Sequence, residues 1–190
     1  LSQLSGRLVE LYGGPNTANL TVACGLILEA QKSDDATAWV TLTQSSFYPP
    51  DLVSSGILLE ELPIVRTRDI RSATNATVQL TQSGGFELIV LDLGGQSSIK
   101  NLINEHSKQT LYSSPEISNQ KISTPLLKKL ANLAKKQKTT VVILTENINP
   151  IVSSGFLISL RAKTQRKKTS LCQTEVVIMK DKSSLLYTSP

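Results

Sequence analysis

The residues in this chain best spaced for chemistry suggest phosphate binding. Gly13-Gly14-Pro15 closes an alternating apolar segment from Arg7 to Tyr12, and a helical pattern runs on from Thr17 to Gln31. A strand, a glycine turn and a helix form the layout of a phosphate loop. There the backbone N–H groups and the helix N-terminus cradle the anion, and a lysine adds a point charge. Counted from Gly13, the template G-x-x-x-x-G-K-[ST] places Ala18, Asn19 and Leu20 at its last three defined positions. Asn19 offers no cation, Leu20 no hydroxyl for magnesium, and the Cβ of Ala18 opposes the positive φ that a glycine would allow. A strand–turn–helix with no ligand is the simpler reading of Gly13, Gly14, Ala18, Asn19 and Leu20 taken alone.

Two further groups of residues invite a chemical role. Asp92 ends the near-continuous apolar run Phe86 to Asp92, where a carboxylate can sit beside magnesium or act as a hydrogen-bond acceptor. Arg161, Lys163, Arg166, Lys167 and Lys168 form a dense basic cluster, expected at the tip of a hairpin between strands Phe156–Lys163 and Cys172–Lys180. No aromatic residue interleaves with it, so it would meet the phosphates of DNA, or an acidic partner, and not bases; otherwise it is a solvated turn. Lys128, Lys129, Lys135, Lys136 and Lys138 read as a solvated helix face. The two cysteines lie far apart and His106 is the sole histidine, so a zinc cluster is excluded and no metal or other cofactor is expected. Cys24 reads as a small buried hydrophobe.

The elements that must position these groups alternate along the chain. Strands are expected at Arg7–Tyr12, Thr37–Thr43, Pro63–Arg66, Phe86–Asp92 and Thr139–Thr145. Helices are expected at Thr17–Gln31, Asp69–Gln82 and Thr124–Gln137, with a short one near Asp51–Ser55. Repeated strand–helix–strand units predict an α/β fold with a mainly parallel sheet, helices on both faces and a C-terminal β-hairpin. Ligands of such sheets bind beyond the carboxyl ends of the strands, which here means Gly13 to Thr21, Thr41 to Gln44, and Asp92. A single domain over 1–190 is expected, with a long polar loop over 93–122; because the first residue is Leu, an upstream segment is expected too. The formal net charge of +5 permits an anionic partner without demanding one, and 4% aromatic residues disfavour a base-stacking platform. No run approaches the roughly 20 apolar residues of a membrane span, and the chain reads as soluble and cytoplasmic, with no membrane partner.

Laid end to end, these segments resemble the RecA-type ATPase core. Gly6 to Gly13 is similar to the strand entering that family's phosphate loop, and Glu29 to Lys32 to the end of the next helix. Thr37 to Thr43 is similar to the second core strand, and Phe86 to Asp92 to the Walker B strand. Thr139 to Asn147 is similar to the strand that ends in a polar sensor residue, and Phe156 to Lys180 to the closing hairpin. Ala38-Trp39-Val40, Pro50 to Gly56 and Gly84 to Gly94 resemble the divergent branch containing ImuA, an accessory of SOS mutagenesis, and SulA, a cell-division inhibitor. The resemblance implies a three-layer αβα sandwich.

The resemblance also marks what is missing. The lysine and hydroxyl positions of the phosphate loop hold Asn19 and Leu20, and the position of the water-activating glutamate holds Thr43. Only Asp92 of the magnesium side survives, and Pro150 to Ser154 leaves little room for a long second DNA-binding loop. Phosphoryl transfer depends on positioning and charge neutralisation by such groups, so a pseudo-ATPase is expected. The implied function is an accessory of DNA repair or translesion synthesis that binds a RecA-type recombinase, a polymerase subunit or DNA; the alternative is a SulA-like inhibitor acting through a protein surface. An active NTPase would need a substitute cation, such as Lys32 or a lysine of a neighbouring subunit.

Overall fold

The structure, a computed structural model, describes residues 2–14, 17–45, 47–94, 122–145, 155–168 and 172–182. The expected loop 93–122, apart from its ends, lies outside them, as do His106 and Pro150 to Ser154. Strands are β1 (Leu8–Tyr12), β2 (Thr37–Leu42), β3 (Ile64–Thr67), β4 (Leu88–Asp92), β5 (Thr140–Thr145), β6 (Leu160–Lys168) and β7 (Cys172–Asp181). Helices are α1 (Asn19–Gln31), α2 (Ile70–Ser83) and α3 (Thr124–Gln137), with 3-10 turns at Ser2–Leu4, Pro49–Ser55 and Leu59–Glu61.

The strands form one seven-stranded sheet in the order β3-β2-β4-β5-β1-β6-β7. Every neighbouring pair is parallel except β6 with β7. β2, β4 and β5 are buried along their whole length because both faces are covered, which is why they read as continuous apolar runs. Within β4, Leu88 and Val90 pack under α1 and the 3-10 helices, while Ile89 and Leu91 pack under α2 and α3. That alternation divides the core into two layers of side chains and gives the α/β sandwich expected from the sequence.

The helix ends follow local chemistry. Asp69 caps α2 by accepting from the Ser72 N–H at 2.8 Å, and Gly84 ends the helix at φ +69°. Thr74, Thr77 and Thr81 are buried in α2 and return their hydroxyls to carbonyls one turn back, which lets a polar helix pack on the sheet. No helix among the described residues is long and apolar enough to cross a membrane.

The hairpin corrects the sequence expectation. Its first strand runs from Leu160 to Lys168 and not from Phe156 to Lys163, so the basic cluster lies along β6 and not at a tip. Pairing with β1 on one side and β7 on the other holds this polar stretch extended. The strand alternation then sends Arg161, Lys163 and Lys167 to one face and Arg166 to the other.

Candidate functional site

A pocket of about 180 Å³ opens at the carboxyl ends of the parallel strands, where the topology predicts one. Thr17, Asn19 and Leu20 line it from the start of α1, Ser45 and Asp92 from the ends of β2 and β4, Thr145 from β5 and Arg166 from β6. Of the sequence candidates, Asn19, Leu20, Asp92 and Arg166 therefore meet here. Lys163 and Lys167 do not, and Lys167 pairs instead with Glu175 at 2.7 Å on the surface. Lys32 follows the last turn of α1, about 20 Å from Asn19 at 1.5 Å per residue, so it cannot replace the missing lysine from within the chain.

The start of α1 is closed by the protein's own side chains. The Thr17 hydroxyl donates to Thr164 Oγ1 at 2.9 Å, and the Ala18 N–H donates to the same oxygen at 3.1 Å. The Thr164 hydroxyl donates to Asn19 Oδ1 at 2.6 Å, while the Asn19 amide donates to the Thr145 carbonyl at 2.8 Å. The Asn19 N–H turns back to Thr17 Oγ1 at 3.3 Å. Each hydroxyl thus gives one proton and receives at least one, which satisfies N–H groups that a helix start otherwise leaves open. Thr164 and Asn19 are both buried. Gly13 permits this closure, since a Cβ there would lie 2.4 Å from Thr17 Oγ1 and 2.7 Å from the Thr164 carbonyl oxygen. Gly14 has open space around it, and Ala18 sits at φ −106°, so the chain takes no left-handed turn at that position.

Asp92 is equally committed. Its Oδ2 accepts from Thr41 Oγ1 at 2.9 Å and from Ser45 Oγ at 2.6 Å, and its Oδ1 accepts from the Gly94 N–H at 3.0 Å. Ser45 in turn accepts the Phe47 N–H at 3.1 Å, so the carboxylate organises the turn after β2. Thr43 points away from this centre and donates to the Thr67 carbonyl at 2.9 Å. Among the described residues no group of three or more His, Cys, Asp or Glu is placed to hold a metal ion. Cys24 is half-buried and its thiol is pushed up to about 11 by burial, which leaves it protonated and unreactive.

Arg161 is not free to meet a partner. It lies 2.8 Å from the carboxylate of Glu10, a residue 1% exposed in the middle of the sheet, and 4.2 Å over the Tyr12 ring. Burial raises the Glu10 pKa, opposed by the Arg161 cation and by the Thr145 hydroxyl. Arg166 projects to the α1 side, donates to Thr21 Oγ1 at 3.3 Å, and is the cation at the pocket wall. Thr145 and Thr164 are absent from the sequence reading, and Arg166 is there only as one cation of the basic cluster, because β1, β5 and β6 become neighbours only through the sheet.

No family model matches the chain. Curated proteins do. RecA of Oceanobacillus iheyensis is 25% identical over 86% of this chain and 50% of its own length. RecA of Mycoplasma mycoides is 25% identical over 96% of this chain and 57% of its own length. RecA of Picosynechococcus is 31% identical over a shorter stretch, 46% of this chain and 25% of its own. The chain thus spans about half the length of these first two relatives. These matches, with which the mainly parallel sheet and its antiparallel closing strand agree, make the chain similar to part of RecA proteins.

Proposed function

We propose that this is a non-catalytic RecA-like protein of the ImuA kind, which serves DNA repair or translesion synthesis by binding a recombinase, a polymerase subunit or DNA. The observation that carries the reading is the closed start of α1. Thr164 and Thr17 accept the N–H groups that a phosphate would take, and Asn19 reaches back to β5 and β6 in place of a lysine reaching toward a ligand. Asp92 adds to it, with both of its oxygens held by neighbouring donors. A site whose Ala18 and Asn19 N–H groups are internally satisfied, and which is without the phosphate-loop lysine and hydroxyl, lacks the charge neutralisation that phosphoryl transfer requires. Similarity to RecA proteins over most of the chain directs the reading to DNA repair. Lys163 and Lys167, on the face of β6 opposite Arg166, would then contact phosphates as positioning charges.

Calorimetry with ATP and magnesium, run beside DNA titrations at two salt concentrations, tests this. The expected result is no nucleotide binding together with salt-sensitive DNA binding or capture by a cognate recombinase or polymerase subunit. ATP turnover that Asp92→Ala abolishes would overturn it. Blocked cell division on overexpression, with no DNA affinity, would transfer the assignment to the SulA-like alternative.

A further inference from the structure

We propose that the surface formed by residues 48–61 and the end of α1 is a docking site for a basic protein segment that carries large apolar side chains. Scattered exposed hydrophobics are ordinary. Here Tyr48, Val53 and Leu58 are 61%, 59% and 46% exposed within one short stretch. The stretch is held from beneath: Phe47, Leu52, Ile57 and Leu62 are buried, and Phe47 stacks on Trp39 at 4.0 Å. The Gln31 side chain clasps the Leu58 backbone from both sides, donating to its carbonyl at 2.9 Å and accepting its N–H at 3.0 Å. Arg66 donates to the Phe47 carbonyl at 3.1 Å. The outward side chains are therefore presented by a fixed platform, and a partner meets them with little ordering cost.

Charge selects the partner. Asp51, Glu60 and Glu61 are exposed on the same stretch and Glu29 is exposed on α1 beside it, against Lys32 after α1 and Arg66, which is engaged by the Phe47 carbonyl. Across the sheet the balance reverses. Neither α2 nor α3 contains an acidic residue, and Arg71, Lys128, Lys129, Lys135 and Lys136 are exposed there. A basic segment is drawn to the first face and repelled by the second, whereas a nucleic acid is steered the opposite way. An apolar centre with a charged rim is the composition of a protein docking surface. The surface is independent of the phosphate-loop position and stands whether or not catalysis survives.

The test is fluorescence anisotropy of a labelled peptide of leucines and lysines at helical spacing, titrated with the full chain. The wild type should bind it with an affinity that falls with salt. Val53→Ser with Leu58→Ser, and separately Glu60→Lys with Glu61→Lys, should each weaken binding about tenfold or more. These side chains are exposed, and matched thermal unfolding of the variants checks that the fold is kept. Unchanged affinity in both variants, or equal binding of the peptide with glutamates for lysines, would overturn the proposal. Sedimentation showing self-association that the same substitutions abolish would also overturn it, because the occupant would then be a second copy of the chain.

Discussion

The pairing of Arg161 with Glu10 places a charge where water cannot reach it. Glu10 is 1% exposed, and burial raises its pKa despite the nearby guanidinium. A carboxylate with a raised folded-state pKa costs stability at neutral pH, and the cost vanishes as the pH falls through that raised value. Arg161→Met removes the counter-charge and should lower stability by about 3 kcal/mol near neutral pH, since a buried ion is left alone. The loss should shrink as the pH falls and Glu10 takes a proton, which urea midpoints at neutral and at acid pH would register. Thr164 supports a second prediction. Thr164→Val strands the Ala18 N–H and the Asn19 amide oxygen, with an expected loss of about 2 kcal/mol in urea unfolding that Thr164→Ser largely restores. In the sequence, Arg161 is one of five similar cations; strand alternation sorts them by face, but only the pairing of β6 with β1 tells which cation meets Glu10.

Among the elements, those with a local cause were legible. β2, β4 and β5 announce themselves as apolar runs, and α2 and α3 by Asp69 at one start, Pro125 at the other, and their apolar spacing. β6 was misplaced because Lys163 to Lys168 has no apolar alternation, and its extended form comes from its two neighbours. The cap of α2 is testable by itself. Bonds from the Ser72 backbone and hydroxyl hold the Asp69 pKa below the ordinary carboxylate range. Its contribution is therefore present above the unfolded pKa and is lost as the pH falls through the lowered one. Asp69→Ala should cost about 1 kcal/mol at neutral pH and almost nothing in strong acid, measured by thermal unfolding across that range.

At the scale of the whole molecule, the alternation of strands and helices was enough to predict a sandwich with a mainly parallel sheet, because right-handed crossovers leave few other ways to cover both faces. The place of the pocket was equally legible, at the carboxyl ends of the strands. How Thr164 and Thr145 fill the start of α1 was not, since these residues lie more than a hundred positions from Asn19 in the chain. The core also contains an optical instrument. Trp39 is the single tryptophan, fully buried and stacked on Phe47, whose N–H is tied through Ser45 to Asp92 at the pocket wall. Its emission should lie at short wavelength in the folded protein and shift to the red on unfolding. Any ion or ligand that pulls Ser45 from Asp92 should change its intensity while the fold stays intact. A titration read at that one fluorophore, with Ser45→Ala as the control that cuts the link, would report occupancy of the pocket without a label.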